Sequence, residues 1–452
     1  MKTKMKQYLL LLLLAVPGAM PVSAQTLTLD SCKVYAIENN KRLKEARMKI
    51  NESEEIKKNA FTNFFPKVNA QAITFQANDY LIDINTPEMN LPVYDGNPAN
   101  LSSATQYAYV PGLELKALDY MNVGMLTATQ PVYAGGRIRS GYKLATLGKE
   151  VSEETLNLST RDVVVKTEEY YWSLVSLQAK RKTLESYKTL LNSLLKDVRV
   201  SFDAGLAQKS DLLKIQLKIN ETNANQLKLE NGISLVKMAL CQHIGLEYSE
   251  NISLQDTAFS VVVPEMLYLS PATALTNRSE YQLLNKAIDA EILQKRLARG
   301  EFLPQLAVGM QGQYLDFADK SSTYGIAFAS LSIPISDWWG GSHKLREHEI
   351  KIDVARNKLN EKSELMELQM EKAYKELTES YQQISVAQSL AEQAREHLQV
   401  ITDNYEAGIL STSDLLEAQA IFQESQDGLI DAKSAYQIRQ VYYKQAIAQT
   451  VY

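Results

Sequence analysis

Phe202-Asp203-Ala204-Gly205, followed by Ser210-Asp211-Leu212-Leu213, is answered late in the chain by Tyr405-Glu406-Ala407-Gly408 and Ser413-Asp414-Leu415-Leu416. Both pairs stand 203 positions apart, and Pro131 and Pro334 keep the same offset. A spacing held at three places marks a duplicated unit. Upstream, Phe64-Phe65-Pro66-Lys67-Val68 resembles Glu301-Phe302-Leu303-Pro304-Gln305-Leu306, but Pro66 and Pro304 are 238 apart, so the first copy is 35 residues longer. The surplus falls between Gln76 and Leu118, a stretch rich in Asn, Pro, Asp, Tyr and Ser that predicts a long surface loop. The copies span 25–250 and 270–452, with a linker over 251–269.

Around the repeated motif the periodicity is helical. No proline interrupts Arg137 to Phe202, or Lys344 to Tyr405, and the first run covers 66 residues, about 100 Å as a helix. In the second, Met366, Met370, Ala373, Leu377, Tyr381, Ile384, Ala387, Ala391, Ala394, Leu398, Ile401 and Tyr405 recur at steps of three and four. Leu415, Ala418, Phe422, Ser425, Leu429, Ala432 and Tyr436 continue the seam on the return. That spacing is coiled-coil spacing. Gly205 and Gly408 mark where each long helix doubles back, in the left-handed conformation that glycine adopts past a helix end. Ser210 and Ser413 then read as N-caps, with Asp211 and Asp414 at the positive end of each helix dipole.

Elsewhere the period changes. Leu29 to Phe61 is helical, with Val34, Ile37, Leu43 and Ala46 among charges. Past Pro66 the period becomes two, at Gln71–Phe75, Asn122–Thr127, Leu306–Met310 and Tyr324–Ala329. These are four strands, bounded by Pro66, Pro131, Pro304 and Pro334, of the length an outer-membrane barrel uses. A pair of soluble hairpins is the alternative. Four strands cannot close a barrel, and an open edge in lipid leaves backbone groups unsatisfied. Two chains would supply 8 strands and three would supply 12. The long helices are amphipathic and charged, so they must project into the periplasm. Phe64, Phe65, Tyr133, Phe302, Trp338 and Trp339 stand where strand meets helix. They suit a membrane–water boundary, or ordinary packing at a strand end.

Lys2, Lys4 and Lys6, the apolar run Leu9–Leu14 and the small residues Val22-Ser23-Ala24 have the layout of a signal peptide over 1–24. Its removal takes the net charge from −5 to −8, which makes a poor nucleic-acid binder. No later stretch approaches a transmembrane helix. Cys32 and Cys241 are either free core thiols or one disulfide. His243, His343, His348 and His397 share no metal-ligand spacing, and no phosphate loop or nucleophile motif is present. No metal, cofactor or catalytic role is therefore expected. A periplasmic coiled-coil structural protein or adaptor would explain the helices but not the strands, and an envelope hydrolase finds no acid–base pair.

Leu27-Thr28-Leu29 leading into Ala36-Ile37-Glu38-Asn39-Asn40 and Leu43 resembles the opening of TolC-family outer-membrane factors. The twin prolines 66 and 304, Gly135-Gly136 and Gly340-Gly341 as turns after the strands, and the duplicated Ala-Gly…Ser-Asp-Leu-Leu turn carry the resemblance across the mature chain. It implies a mixed α and β fold: a homotrimer with a 12-stranded outer-membrane β-barrel and a periplasmic α-barrel of helical hairpins. Implied partners are outer-membrane lipid, a periplasmic adaptor and an inner-membrane pump, in efflux or type I secretion. Asp414 and Glu417 match the acidic residues lining the closed aperture of such channels, with Asp211 the first-copy counterpart of Asp414. The turns at Gly205, Ser210, Gly408 and Ser413 match the adaptor-docking tips. The long first loop departs from the family pattern.

Overall fold

The computed structural model describes residues 26–255 and 259–449; the expected signal peptide lies outside the described residues. In chain order the elements are β1 (Thr26–Leu27), α1 (Leu29–Asn39), α2 (Lys41–Thr62), β2 (Lys67–Gln76), β3 (Ile82–Thr86), β4 (Met89–Pro92), β5 (Tyr107–Val110), β6 (Leu113–Ala117) and β7 (Tyr120–Ala134). Then come α3 (Arg137–Asp203), α4 (Lys209–Ile244), β8 (Ser253–Leu254), α5 (Pro271–Leu275), α6 (Ser279–Glu301), β9 (Gln305–Phe317), β10 (Lys320–Ser332), α7 (Trp338–Glu406) and α8 (Thr412–Ala446). They gather into two compact units. One holds the described residues up to Ile50, Val151–Asn285 and those from Lys358 on; the other holds Asn51–Glu150 and Lys286–Asn357.

The first unit is helical. Thr28 and Ser31 start α1 by a reciprocal exchange: the Ser31 N–H donates to Thr28 Oγ1 (3.1 Å) and the Thr28 N–H to Ser31 Oγ (2.9 Å). The single helix expected over Leu29–Phe61 is in fact two. Asn40 leaves the helix at ψ 130° and caps the restart by accepting the Arg42 N–H at 2.9 Å, while its amide donates to the carbonyl of His243 (2.8 Å). Cys32 and Ala36 then bury against Tyr171, Leu174 and Val175 of α3 and Leu240, Cys241 and Ile244 of α4. Both thiols are free, and burial pushes that of Cys32 up to about 12. Met366, Met370, Leu377 and Ile384 of α7 pack with Tyr436 and Tyr443 of α8, and no position of the expected seams is exposed. A third cluster joins the two hairpins: Leu194, Val198, Ile215 and Leu415, flanked by Leu398, Ile401 and Tyr405.

The second unit is built on an antiparallel sheet in the order β10-β9-β7-β2. The four expected strands all form, longer than their sequence cores. Its two faces differ in chemistry. Along β9 one face presents Leu306, Val308, Met310, Gly312 and Tyr314, beside Leu126 and Ala128, Val68 and Ala70, and Ala327 and Ala329. From Leu306 to Tyr314 is about 25 Å at 3.3 Å per residue. A polar ladder ends this face: Thr74 Oγ1 donates to Asn122 Oδ1 (2.6 Å) and Asn122 Nδ2 to Asp316 Oδ2 (3.0 Å). The opposite face is mixed: Gln71, Thr127, Thr129, Gln311 and Gln313 share it with Ile73, Val123, Met125, Leu315, Ile326 and Phe328.

Several sequence expectations need correction here. Residues 76–118 are not an irregular loop: β3 pairs with β6 and β4 with β5, giving a two-stranded ribbon in two tiers. Pro131 does not bound a strand. It sits inside β7 at a bulge before Tyr133, where a residue without an N–H is tolerated. Pro66 and Pro304 immediately precede β2 and β9, and Pro334 follows β10. Gly135 and Gly136 do turn the chain, at φ +62° and +78°. Gly340 and Gly341 do not, because α7 starts six residues before the expected Lys344 and both lie in its first turn. A Cβ on Gly341 would stand 3.1 Å from the Phe302 ring, which needs that bare helix surface.

Candidate functional site

The two tips are the same turn built twice. In the first, the Gly205 N–H donates to Phe202 O (2.9 Å) and the Leu206 N–H to Ser201 O (2.8 Å). In the second, the Gly408 N–H donates to Tyr405 O (2.9 Å) and the Ile409 N–H to Asn404 O (2.9 Å). These are the bonds of a Schellman-type helix end, which needs a left-handed residue, and the glycines lie at φ +78° and +75°. Nothing lies within 4 Å of a Cβ built on either, so the backbone angle alone calls for glycine.

Directly after each glycine an aliphatic side chain stands in the open: Leu206 is 84% exposed and Ile409 72%. Neither residue is among those expected from the sequence to dock an adaptor. The signal was there, since the aliphatic position repeats with the turn.

The returning helices start differently from the expectation. Ser413 is not the N-cap of α8; Ser411 is. The N–H of Ser411 donates to Asp414 Oδ2 at 2.8 Å, its hydroxyl to the same oxygen at 2.7 Å, and the Asp414 N–H returns to Ser411 Oγ at 3.4 Å. Likewise Gln208, not Ser210, caps α4, its N–H donating to Asp211 Oδ2 at 3.3 Å. The serine hydroxyl and the carboxylate must lie three residues apart to satisfy each other, which excludes an adjacent Ser-Asp pair.

The Ser411 hydroxyl, then the Ser411 N–H and the charge of Lys214, hold the Asp414 carboxyl below the usual carboxylate range. Lys214 links the tips: its ammonium lies 2.6 Å from Ser413 Oγ and 3.8 Å from Asp211 Oδ1. Asp211, Lys214, Ser413 and Asp414 thus form one polar cluster. Glu417, three residues past Asp414, is exposed and makes no ion pair among the described residues.

At the other candidate region, the six aromatics flank one end of the sheet, next to Lys67, Ala134, Gln305 and Ser332. Phe64 packs tilted on Phe61 at a centroid distance of 5.7 Å and Phe65 edge-on at 5.3 Å, and Phe64 meets Tyr142 at 6.0 Å. The Trp338 indole donates to the carbonyl of Phe302 (2.8 Å). Trp339 and Tyr133 are exposed. Among the described residues no group of three or more His, Cys, Asp or Glu is placed to hold a metal, and no helix is long and apolar enough to cross a membrane.

This pairing of an apolar-faced strand sheet with duplicated long hairpins is that of an outer-membrane channel subunit. Residues 34–245 and 271–449 match the model of the outer membrane efflux protein family, and the chain belongs to that family. Its fold is similar to that of the outer membrane protein VceC of Vibrio cholerae, at TM-score 0.72 and 14% identity over 93% of this chain and 96% of that one. It is similar too to the Campylobacter jejuni CmeC outer membrane channel, at 0.71 and 15% over 93% and 85%. The open state of the Neisseria gonorrhoeae MtrE outer membrane channel matches at 0.72 and 13% over 93% and 88%. No curated protein matches the sequence.

Proposed function

We propose that three copies of this chain close a 12-stranded barrel in the outer membrane and continue it into the periplasm as a helical duct. Through that duct substrates pass by diffusion, fed by a periplasmic adaptor and an inner-membrane pump in efflux or type I secretion. The observation that carries this is the sheet in which β10 and β2 stand at the edges, with one apolar face that runs about 25 Å along the strands, about 20 Å in height at the tilt of barrel strands and so close to that of an outer-membrane apolar belt. A soluble hairpin pair has no use for such a face. The free edges cannot remain open in lipid, and pairing β10 of one copy with β2 of the next satisfies both. The exposed aromatics at one end suit the interface with water.

In this reading the twin tips dock the adaptor through Leu206 and Ile409, and the carboxylates of Asp211, Asp414 and Glu417 ring the aperture, where they favour cations. The protein performs no covalent chemistry. The test is fractionation followed by gel mobility with and without heating. The mature protein is expected in the outer membrane as a heat-modifiable trimer, and a soluble periplasmic monomer would end the proposal.

A further inference from the structure

A cleft of about 390 Å³ opens at the end of the sheet where β2 and β9 begin and β7 runs into α3. Lys67 of β2, Gln305 of β9, Arg137, Ile138 and Tyr142 of α3, and Asn63 line it. The charged residues of this lining are Lys67 and Arg137, both cations, and no carboxylate lines the cleft. Among the described residues neither makes an ion pair. Other cations of the same unit are matched: Lys149 with Glu54, Lys286 with Glu150 and Lys344 with Glu301, at 2.8, 2.6 and 2.7 Å. The cleft keeps two positive charges without an answer from its own chain.

The backbone is arranged around the Arg137 side chain. A Cβ on Gly300 would stand 2.4 Å from Arg137 Cγ, and one on Gly135 would stand 2.2 Å from Gly300 O. Two bare glycines therefore let the stem of Arg137 cross at this point. Its Nη2 donates to Gln305 Oε1 at 3.0 Å, which fixes the guanidinium and leaves the Gln305 amide group to donate elsewhere. Arg137 Nε is buried and has no hydrogen-bond partner, a costly state for a donor on a charged group. The first turn of α3 holds no acidic residue. Arg137 and Arg139 stand there instead, at the end of the helix dipole that disfavours cations. An oxyanion seated in the cleft offsets this surplus of positive charge.

Strand parity says which compartment the cleft serves. Lys67 alternates in step with Gln71 along β2, and Gln305 with Gln311 and Gln313 along β9, so both belong to the face opposite the apolar one. Resting on the trimer reading above, in which the apolar face meets lipid and this one lines the duct, we propose that Lys67, Arg137 and the Gln305 amide form an oxyanion-binding site in the duct wall. It takes a phosphoryl or carboxylate group of a solute in passage. The guanidinium fork and the compact ammonium suit such a group. Its sign is opposite to that of the carboxylates at the tips, so anion- and cation-favouring stations stand in series along one path.

The probe is inorganic pyrophosphate, and the readout is the conductance of the purified full-length trimer in planar bilayers at fixed ionic strength. Pyrophosphate is expected to block the parent channel saturably. Lys67→Gln and Arg137→Gln should each weaken that block at least about ten-fold, as the loss of a charge-assisted hydrogen bond does. Lys67 is exposed, so K67Q carries the test even where R137Q fails to assemble. Lys320→Gln removes a charge from the other end of the same sheet face and should leave the block unchanged. No saturable block in the parent, or a block as strong in K67Q, overturns the site and leaves the channel reading standing. Equal weakening in K320Q also overturns it, because the general charge of the duct would then be the cause. Phospholipid that co-purifies with the parent trimer and is lost from K67Q would assign the cleft to a lipid headgroup and overturn the duct-side site. A monomeric parent protein overturns both readings.

Discussion

Gly408→Val separates docking from folding. Gly408 lies at φ +75° with open space where a Cβ would stand, so a side chain there costs only backbone strain. That is about 1 kcal/mol for alanine, and about 1–3 kcal/mol for a β-branched residue held left-handed. Just inside the tips, Leu194, Val198, Ile215 and Leu415 are buried together, and each such side chain contributes about 1.5–3 kcal/mol. The tip core therefore outweighs the strained turn. The trimer should persist on unheated gels, with a thermal midpoint lowered by no more than about 4 °C, while export fails because Ile409 is re-aimed. Gly135→Ala is the contrasting control. Its Cβ would stand 2.2 Å from the carbonyl oxygen of Gly300, backbone against backbone, so assembly itself should suffer. Loss of the trimer in Gly408→Val as complete as in Gly135→Ala would refute the reasoning, as would export at the parent level.

Three further outcomes are expected. A short tag inserted at Asn97, which caps the exposed 3-10 turn at the far end of the ribbon, should leave assembly intact and be reached by antibody on whole cells; labelling only after permeabilisation would invert the topology. Asp414→Asn with Glu417→Gln should lower cation selectivity and weaken block by multivalent cations in planar bilayers, with the trimer retained, because neither residue lies on the buried seams; unchanged selectivity would leave Asp414 a helix-start residue only. The Asp414 carboxyl is held below its usual range, so its contribution to the helix start and to cation preference is present above the ordinary Asp value of about 3.9 and lost only as pH falls through the lower folded value; selectivity measured against pH should stay flat from neutral to pH 5, and a fall above that would contradict the Ser411 cap.

What could be read from the chain was what repeats or keeps a strong period. The seam from Met366 to Tyr405 buries as its spacing demands, and Gly205 and Gly408 turn where a helix can go no further. The ribbon escaped notice because its strands are four or five residues long and broken by Pro87, Pro92, Pro111 and Gly112, too short for a period-two signal to rise above the polar composition. The break at Asn40 depends partly on a hydrogen bond to His243, about two hundred residues away, which no local pattern contains. Gly340-Gly341 looked like a turn, but the glycines serve the Phe302 ring. The cap at Ser411 is legible, since the Ser-x-x-Asp spacing of a capping box is present, although Ser413 stands nearer the aspartate.

Lys214 occupies in the first tip the place that Glu417 occupies in the second, 203 residues on. The backbones of the two turns are interchangeable, so a proposed trimer would present six tips at nearly equal steps of rotation. The side chains remove that equivalence: going round the ring, the position three residues past each aspartate alternates between ammonium and carboxylate. A docking partner that senses only the turns could seat in six azimuthal phases, whereas one that also senses this charge has three. Duplication supplies the docking points, and a single divergent position supplies their phase.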